Sequence, residues 1–434
     1  MAAWVDKAIQ SMMRHRKSSA LAACAICAFT VADPATAQSP HACVGLQDMR
    51  VPMTEGLDGF FFRVEPDLMM DTRLSDGMIR DVAKLSRSLE TRGTTLVYVP
   101  IPTKGIVHSD SIGPDAARYG FDARLARALF GDTIAKLRAS EVVTVDALAP
   151  LIRNDADETV FYGADPRMSD TGLRLLAGSI AAELGPEHQG TTEFGTTAGR
   201  PSAIPSHDRF LLQMACQASL PPLTAPRYTT RALQHSGPGA DRNVVVVGSH
   251  ITSGPERNLS GFLSEALRRP VTRDVSAETA HGALTSYLTS ETYRADQPEI
   301  IIWQVPIWEN PARFGDQPMR ELSAAAADRC SGATEMARFE DGSFRVDARG
   351  LSVTHDASLR LETESGDLMR AIFRFTAPDG AERARSITRH DTTLATNRMY
   401  LPLTGLWPEG VAEISVEIDP ADQAAPTISV CGAS

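Results

Sequence analysis

The sequence lacks several features that would define a function directly. Beyond residue 38, no apolar run approaches the roughly 20 residues that a membrane-spanning helix needs. Neither a phosphate-binding glycine loop nor a metal-binding motif is present, so we expect no cofactor and no metal. The formal net charge is −11, which argues against nucleic acid as a partner held by bulk charge.

Cysteine is also scarce, and only four cysteines lie beyond the first 38 residues: Cys43, Cys216, Cys330 and Cys431. None of these four forms a CxxC pair, which makes a zinc site unlikely on spacing. An even number in an exported protein favours disulfides, with three possible pairings and unpaired thiols as the alternative. We favour Cys43–Cys216 and Cys330–Cys431, because the second pair would join the two ends of one C-terminal module.

The N-terminus carries the pattern of a targeting segment. The basic stretch "RHRK" precedes the short apolar stretch "SSALAACAICAFTVA", and Ala35 and Ala37 form an Ala-x-Ala cleavage site. This order predicts a signal peptide over 1–38, with an uncleaved signal anchor as the alternative. We therefore expect a soluble periplasmic protein after cleavage.

Between residues 93 and 325, strand-like and helix-like segments alternate. "TTLVYVPIP", "NVVVVGS" and "EIIIWQVP" read as buried strands, with helical periodicity between them. This alternation predicts an α/β fold, with a parallel sheet and flanking helices, in which ligands bind at the carboxyl ends of the strands. The stretch 186–240 is rich in Gly, Thr, Ser and Pro and is interpreted as an insertion or a lid.

After Cys330 the pattern changes to short alternating runs between turns, which predicts an all-β sandwich. In "MRAIFRF", alternation puts Arg370 and Arg374 on one face and apolar residues on the other. These arginines could hold a polyanion, or could belong to a solvated face interleaved with acidic residues. Trp407 and Tyr400 could stack on sugar rings or belong to the core.

Ser249 follows the apolar strand "VVVVGS" directly and lies beside Gly248. A serine at the carboxyl end of a strand is exposed to attack a substrate, and glycine permits a close backbone approach. An ordinary structural turn is the alternative. A serine nucleophile also needs a base and a carboxylate that orients the base.

"FYGADPRMSDTG" supplies a carboxylate at Asp165 but an arginine at Arg167, where a base would be expected. Arginine cannot serve as a general base, because its pKa is above 12. Arg167 could form a salt bridge to Asp165, remain a solvated cation, or bind a uronate carboxylate in bidentate fashion. Ser169 is a plausible N-cap of the helix that follows.

Seven motifs in this order resemble a known family: "GLDGFFF", "VPIPTKG", "YGFDARLARAL", "FYGADPRMSDTG", "GSHITS", "NLSGFLSEAL" and "IIIWQVPIWE". From about residue 43 to 434 the chain resembles the AlgX/AlgJ-type alginate O-acetyltransferases of the SGNH-hydrolase superfamily, the AlgX type above all. The resemblance implies an SGNH-hydrolase-like domain over 39–328 and a carbohydrate-binding-module-like β-sandwich over 329–434.

The same resemblance implies roles for individual residues. Ser249 would accept the acetyl group and Asp165 would be the orienting acid. Lys104, in the Pro-rich loop of the family, is expected to contact substrate. The residue pattern of the sandwich adds Arg370, Arg374 and Trp407 to the expected substrate contacts.

The chain departs from the family pattern at three positions: Arg167 replaces a histidine, Met168 a tryptophan and Gln304 a glutamate. His250 is a poor substitute base, because adjacent side chains in extended backbone point apart. His281, after the next strand, is the possible substitute, with a surface or helix-start histidine as the alternative.

The resemblance implies a periplasmic O-acetyltransferase that acts on an alginate-like exopolysaccharide. Its expected partners are an anionic polyuronate chain, an acetyl donor delivered by an upstream membrane acyltransferase, and exopolysaccharide secretion proteins. The loss of the family histidine motivates an alternative: a catalytically degenerate polysaccharide-binding or scaffolding protein. A third interpretation is an esterase that removes acetyl groups.

Overall fold

The computed structural model describes the chain over the ranges 40–153, 159–234, 243–252, 257–315, 317–351, 357–364, 368–389, 394–407, 410–420 and 424–432. The signal peptide predicted over 1–38 lies outside these ranges. The described residues from Pro40 onward form one compact unit. The domain boundary at 328/329 stays a prediction.

The helices of the described ranges are α1 (Val64–Asp67), α2 (Asp76–Glu90), α3 (Lys104–Val107), α4 (Ala123–Ala139), α5 (Leu148–Ile152), α6 (Asp170–Leu184), α7 (His207–Ala215), α8 (Leu259–Leu267), α9 (Ala280–Leu288), α10 (Glu291–Ala295) and α11 (Gln317–Ala327). Short 3₁₀ turns occur at Leu46–Asp48, Ser109–Ser111, Pro114–Tyr119, Pro186–His188 and Pro311–Phe314.

The strands of the first part are β1 (Met53–Glu55), β2 (Phe61–Arg63), β3 (Thr95–Ile101), β4 (Val143–Thr144), β5 (Glu193–Ala203), β6 (Thr224–Gln234), β7 (Val244–Ser249), β8 (Val271–Ala277) and β9 (Ile300–Pro306). Those of the second part are β10 (Cys330–Glu335), β11 (Ala337–Arg338), β12 (Phe344–Asp347), β13 (Ser358–Glu362), β14 (Arg370–Thr376), β15 (Glu382–Thr388), β16 (Arg398–Pro402), β17 (Glu413–Asp419) and β18 (Thr427–Cys431).

A five-stranded parallel sheet in the order β4-β3-β9-β7-β8 forms the centre of the first part. Every residue of β7 and β9 is buried. Helices α2, α9 and α11 share one apolar cluster with the sheet, and α4, α6 and α8 share the other. Because both faces are covered, these strands are apolar throughout rather than alternating. The α/β prediction is confirmed.

Helix α6 begins where the sequence predicts. The Ser169 hydroxyl accepts a hydrogen bond from the backbone N–H of Gly172 at 3.2 Å, as an N-cap side chain does. The cap fixes the direction in which the chain enters α6. The loop that carries Asp165 and Arg167 therefore ends at the capped start of α6, where the backbone direction is fixed.

The second part consists of two antiparallel sheets, ordered β10-β18-β13-β16 and β11-β12-β17-β14-β15, with one apolar core between them. In β14 the side chains alternate as predicted: Arg370 and Arg374 are exposed, whereas Ala371, Phe373 and Phe375 are buried. Strands of period two with one buried face are the pattern of a sandwich. The predicted all-β sandwich is confirmed.

The stretch 186–240, interpreted from the sequence as an insertion or lid, contains regular structure. Strands β5 and β6 form an antiparallel ribbon, and α7 lies between them. Most of β5 is exposed or half-buried. Because neither strand has a fully buried face, the sequence shows no alternating apolar pattern there.

Both disulfides have the pairing favoured from the sequence. Cys43 pairs with Cys216, which ties the segment before β1 to the residue after α7. Cys330 pairs with Cys431, which joins the first and last strands of the sandwich. In the chain-entropy description, each long loop closed in this way contributes roughly 4–5 kcal/mol.

The sandwich packs on the helical layer through buried polar contacts. Glu321 of α11 forms an ion pair with Arg389 and accepts a hydrogen bond from the Tyr400 backbone N–H at 3.2 Å. The Tyr400 hydroxyl donates to Asp328 at 2.8 Å. Tyr400 is thus a core residue, which is one of the two roles considered from the sequence.

In the described part of the chain, no helix has the length and apolar composition required to cross a bilayer.

Candidate active site

Ser249 is the last residue of β7, and its side chain is only 1% exposed. Its neighbour Gly248 lies so close to β9 that an added Cβ would stand 2.9 Å from the Cβ of Gln304. Glycine at this position lets β7 and β9 pair closely up to the end of β7. The sheet thus brings Ser249 to its carboxyl edge, where α/β proteins bind ligands.

The turn after Ser249 directs one backbone donor at the hydroxyl. The N–H of Ile251 donates to Ser249 Oγ across 3.4 Å, and the N–H of Thr252 donates to the Ser249 carbonyl across 3.4 Å. His250, between them, is exposed. Both bonds are long, so this turn is held loosely around the serine oxygen.

Glu309 is the acidic residue that the structure places beside Ser249. A tight turn after β9, closed by a 2.8 Å bond from the Glu309 N–H to the Pro306 carbonyl, brings it there. The backbone N–H of Ala280, the first residue of α9, donates to Glu309 Oε2 at 2.7 Å. The Ser249 hydroxyl lies close enough to this carboxylate to lower the pKa of Glu309.

The surroundings of Glu309 make it a stronger base than an ordinary carboxylate. Burial raises the pKa of Glu309 to about 7, and the negative charge of Glu278 acts in the same direction. The Ala280 N–H, the Ser249 hydroxyl and the Arg63 charge oppose this shift without cancelling it. A group with a pKa near neutrality can both accept and return a proton at that pH.

Sequence reasoning missed Glu309 because it considered only histidines as bases. The available signal was an acidic residue in "IWEN", just past a strand whose carboxyl end borders that of Ser249. Strand order brings Glu309 to the edge that carries Ser249, because β9 lies directly beside β7 in the sheet. That order is not visible in the sequence.

Asp165 and Arg167 form a bidentate ion pair. Arg167 Nε and its backbone N–H both donate to Asp165 Oδ1 at 2.8 Å, and Nη2 donates to Oδ2 at 2.9 Å. Arg167 Nη2 also donates to the Pro205 carbonyl at 2.9 Å, so the segment between β5 and α7 contacts this loop. This salt bridge is one of the arrangements that the sequence allowed.

The ion pair keeps Asp165 charged although its side chain is almost fully buried. Burial raises the pKa of Asp165, but the hydrogen bonds and charge of Arg167, with a hydrogen bond from Ser206, outweigh burial and lower it overall. A carboxylate bound in this way is a weak base. Its oxygens are directed at Arg167 rather than at an imidazole.

Lys104 holds the loop that carries Asp165 through hydrogen bonds to backbone carbonyls. Its side chain is 1% exposed, and Nζ donates to the carbonyls of Phe61 at 2.8 Å and Asp165 at 3.3 Å, as well as to that of Gly163. Burial lowers the pKa of Lys104 to about 7. These contacts favour a role in holding the loop. A contact with substrate stays a prediction.

The Asp165 loop and the Ser249 turn lie against each other. The N–H of Met168 donates to the Ile251 carbonyl at 3.4 Å, and the Arg257 guanidinium donates to the Met168 carbonyl. The Arg257 guanidinium also lies over the Tyr162 ring, 5.5 Å from its centroid. Two loops that sequence alone could only place at one sheet edge are therefore in contact.

His281 lines a cleft of about 550 Å³ between α9, α11 and β15, together with Glu278, Glu321 and Arg389. Ala277, the β8 residue paired with Ser249, borders the same cleft, so the cleft adjoins the edge that carries the serine. Burial lowers the pKa of His281 to about 4, which leaves the ring neutral at pH 7. Its role as a substitute base stays a prediction.

The remaining predicted substrate contacts lie on the sandwich. Arg374 is exposed and paired with Glu417 at 2.9 Å, and Arg370, the first residue of the same strand, is also exposed. Trp407 packs against the sandwich core, with the Arg383 guanidinium 4.6 Å from its ring centroid.

Within the described ranges, no cluster of three or more His, Cys, Asp or Glu is arranged to hold a metal ion.

Residues 53–307 match the family model described as "SGNH hydrolase-like domain, acetyltransferase AlgX". The match spans more than half of the chain and includes Ser249, Asp165 and Arg167. The chain belongs to this family of AlgX-type, SGNH-hydrolase-like proteins.

Individual relatives agree with this assignment. The chain is 28% identical over 264 residues to the alginate biosynthesis protein AlgX of Pseudomonas aeruginosa, a match that covers 58% of this chain and 55% of the relative. It is 26% identical over 247 residues to the probable alginate O-acetylase AlgJ of the same species, with 52% of this chain and 61% of the relative covered. The chain thus matches less than two thirds of the length of either relative.

Among solved structures, Pseudomonas aeruginosa AlgX is similar to this chain with a TM-score of 0.76 at 22% sequence identity. The superposition covers 88% of this chain and 95% of that one. This similarity extends through both the α/β part and the sandwich, and it concerns the fold.

Proposed function

We propose that the chain is an O-acetyltransferase that modifies an alginate-like exopolysaccharide, with Ser249 as the residue that carries the acetyl group. The observation that carries the proposal is the position of Ser249, which is buried at the carboxyl edge of the parallel sheet. At the same edge the Ala280 N–H holds the Glu309 carboxylate. The names of the relatives, which refer to alginate biosynthesis and O-acetylation, support the substrate class and the reaction.

The reaction has two acyl-transfer steps. Ser249 Oγ attacks the carbonyl carbon of an acetyl ester or thioester, and the bond to the donor's oxygen or sulfur breaks. A sugar hydroxyl then attacks the acetyl carbon, and Ser249 leaves. Negative charge on the substrate carbonyl oxygen during both attacks would be stabilised by backbone N–H groups around Ser249, among which the Ile251 N–H lies beside the serine oxygen.

The proposed setting is the periplasm. Two disulfides and the predicted signal peptide favour an oxidising compartment outside the cytoplasm. There the acetyl donor would come from an upstream membrane acyltransferase. Exopolysaccharide secretion proteins would deliver and remove the polymer.

The Asp165–Arg167 ion pair favours a second candidate, a polysaccharide-binding protein without catalysis. The carboxylate that would orient a histidine is bound to an arginine instead. In that case the cleft beside α9 and α11 and the arginines of β14 would hold a polyuronate, and Ser249 would be a structural residue.

Acetyl release from 4-nitrophenyl acetate separates the two candidates. We expect the mature protein to release acetate and Ser249→Ala to fall to the uncatalysed rate, because the variant lacks the attacking oxygen. Ser219→Ala, which alters an exposed serine after α7, is the matched control and should retain full activity. Equal rates for the wild type and Ser249→Ala would favour the binding protein, whose affinity for polyuronate oligomers would then be measured.

A further inference from the structure

We propose that Glu309 is the catalytic base of this site and exchanges protons with Ser249 in place of the missing histidine. The proposal rests on the transferase function proposed above. It assigns the base to a residue on the turn after β9, rather than to the loop that carries Asp165 and Arg167.

Strand order places the carboxylate. β9 lies between β3 and β7, and Gln304 of β9 pairs with Gly248, directly before Ser249. The turn closed on the Pro306 carbonyl then returns the chain toward the edge of the sheet. The register of two neighbouring strands therefore brings the turn that carries Glu309 to the edge of the sheet at which Ser249 lies.

Helix α9 fixes the carboxylate. The N–H of Ala280 binds one oxygen, Oε2, at 2.7 Å at the start of the helix, where backbone N–H groups are free and the partial charge is positive. A bound oxygen limits rotation of the carboxylate. The Ser249 hydroxyl, which already lowers the pKa of Glu309, is the group that we propose donates to this carboxylate.

The charges around Glu309 suit proton exchange near pH 7. Burial is the largest influence and raises the pKa of Glu309 to about 7. Glu278 raises it further, whereas Arg63 lowers it, and Arg63 is itself paired with Asp67 at 2.7 Å. Tyr98 also faces this charge, since burial and the Glu309 charge together raise the pKa of Tyr98.

Asp165 does not compete for the same role. Arg167 binds both of its oxygens and holds its pKa below the ordinary value against the effect of burial. Of the two carboxylates near the Ser249 turn, Asp165 therefore stays ionised and Glu309 exchanges protons. Neighbouring carboxyl groups whose pKa values are pushed apart divide roles in this way.

Every proton transferred in the two steps moves between Glu309, Ser249 and the two substrates. Ionised Glu309 accepts the Oγ proton as Ser249 attacks the acetyl donor, and protonated Glu309 returns it to the oxygen or sulfur that leaves. In the second step Glu309 accepts the proton of the attacking sugar hydroxyl and returns it to Ser249 Oγ. No redox partner or further reactant is required.

The test is the rate at which Ser249 becomes acetylated by 4-nitrophenyl acetate, followed by the mass of the intact protein between pH 5 and pH 9. In the wild type the rate should rise with pH around a midpoint near 7, because the base must be deprotonated. Glu309→Gln keeps the size of the side chain and an oxygen for the Ala280 N–H. We expect it to lower acetylation by about 100-fold or more and to remove the midpoint.

Two variants serve as comparisons. Glu340→Gln alters an exposed carboxylate of the sandwich and should match the wild type at every pH. Glu278→Gln removes a charge that raises the pKa of Glu309 and should move the midpoint to lower pH. This shift is measurable even if Glu309→Gln fails to fold, and a Glu309 with only a structural role would not produce it.

The outcomes distinguish the two proposals. If the wild type acetylates no faster than Ser249→Ala, the transferase function fails. If Ser249→Ala is inactive but folded Glu309→Gln retains the wild-type rate and midpoint, the function stands and the assignment of Glu309 is wrong. An unchanged midpoint in Glu278→Gln would likewise overturn the assignment.

Discussion

At the scale of single residues, the site differs from a Ser–His–Asp arrangement in the partner of its carboxylate. Asp165 has the position expected of an orienting acid, yet its oxygens bind Arg167 in bidentate geometry. The serine instead has Glu309 as its acidic neighbour. Arg167 lowers the pKa of Asp165 and burial raises that of Glu309, which leaves two carboxylates in different electrostatic states at one sheet edge.

Removing the Arg167 charge should destabilise the fold in a pH-dependent way. Arg167→Gln leaves Asp165 buried without a counter-charge. Removing one partner of a buried ion pair lowers the free energy of unfolding by about 3–5 kcal/mol. The pair contributes fully above the ordinary pKa of aspartate, and its contribution is lost as pH falls through the lowered pKa of folded Asp165. The destabilisation should therefore be largest at pH 7 and shrink on acidification.

Urea unfolding at pH 7 and at pH 2.5, below the ordinary pKa of aspartate, measures this effect. Arg374→Gln, which removes an exposed partner of Glu417, is the control and should change stability much less, because water screens that pair. A loss of stability in Arg167→Gln that is equal at both pH values would show that packing, and not the charge of Asp165, is responsible.

Residue patterns in the sequence predicted part of this site. Ser249 was placed at a strand end because "VVVVGS" is apolar up to the glycine, and the Arg167–Asp165 pair was one of the arrangements considered for "FYGADPRMSDTG". Lys104 was expected to contact substrate, but the structure has it donating to three backbone carbonyls. A lone lysine in a loop carries no sequence signal that distinguishes these two roles.

At the scale of elements, the site depends on how closely β7 and β9 approach each other. Both strands are buried along their whole length, and Gly248 faces Gln304 with no room for a side chain. This approach sets the distance between the ends of the two strands. It therefore also sets the distance between Ser249 and the turn that carries Glu309.

Gly248→Ala should disturb both the sheet and the site. The new methyl would stand 2.9 Å from Gln304 Cβ and 3.1 Å from its carbonyl oxygen, so the strands must separate. We expect a loss of about 1–3 kcal/mol in the free energy of unfolding, typical of overpacking, with a lower rate of Ser249 acetylation. Gly178→Ala is the control, because an added Cβ there meets no heavy atom within 4 Å.

Thermal unfolding and the acetylation rate, measured on the same preparations, check this prediction. Wild-type values of both quantities in Gly248→Ala would mean that the strands accommodate the methyl without separating. The close approach would then have no part in setting the site.

Elements with strong periodicity were predicted well, and elements without it were missed. β7, β9 and α6 follow from unbroken apolar runs and a serine cap. The β5–β6 ribbon was not predicted as strands, because β5 has no buried residue and its exposed residues follow no two-residue period. The position of Glu309 was missed for a different reason, since it follows from strand order and not from any local pattern.

At the scale of the whole molecule, the α/β part and the sandwich form one compact unit with a cleft between them. Glu321 of α11 binds Arg389 and the Tyr400 backbone, so the two parts meet through specific polar contacts. The cleft of about 550 Å³ runs between α9, α11 and β15 and borders Ala277, the neighbour of Ser249 in the sheet. A polymer bound there would pass close to the serine.

The central claim is that this chain transfers acetyl groups to a sugar polymer through Ser249. The most direct test incubates the mature protein with an activated acetyl ester and polymannuronate oligomers and records the mass of the oligomers. We predict oligomers heavier by whole acetyl groups with the wild type, and none above background with Ser249→Ala. Oligomers acetylated equally by both proteins, or by neither although Ser249 itself becomes acetylated, would contradict the claim.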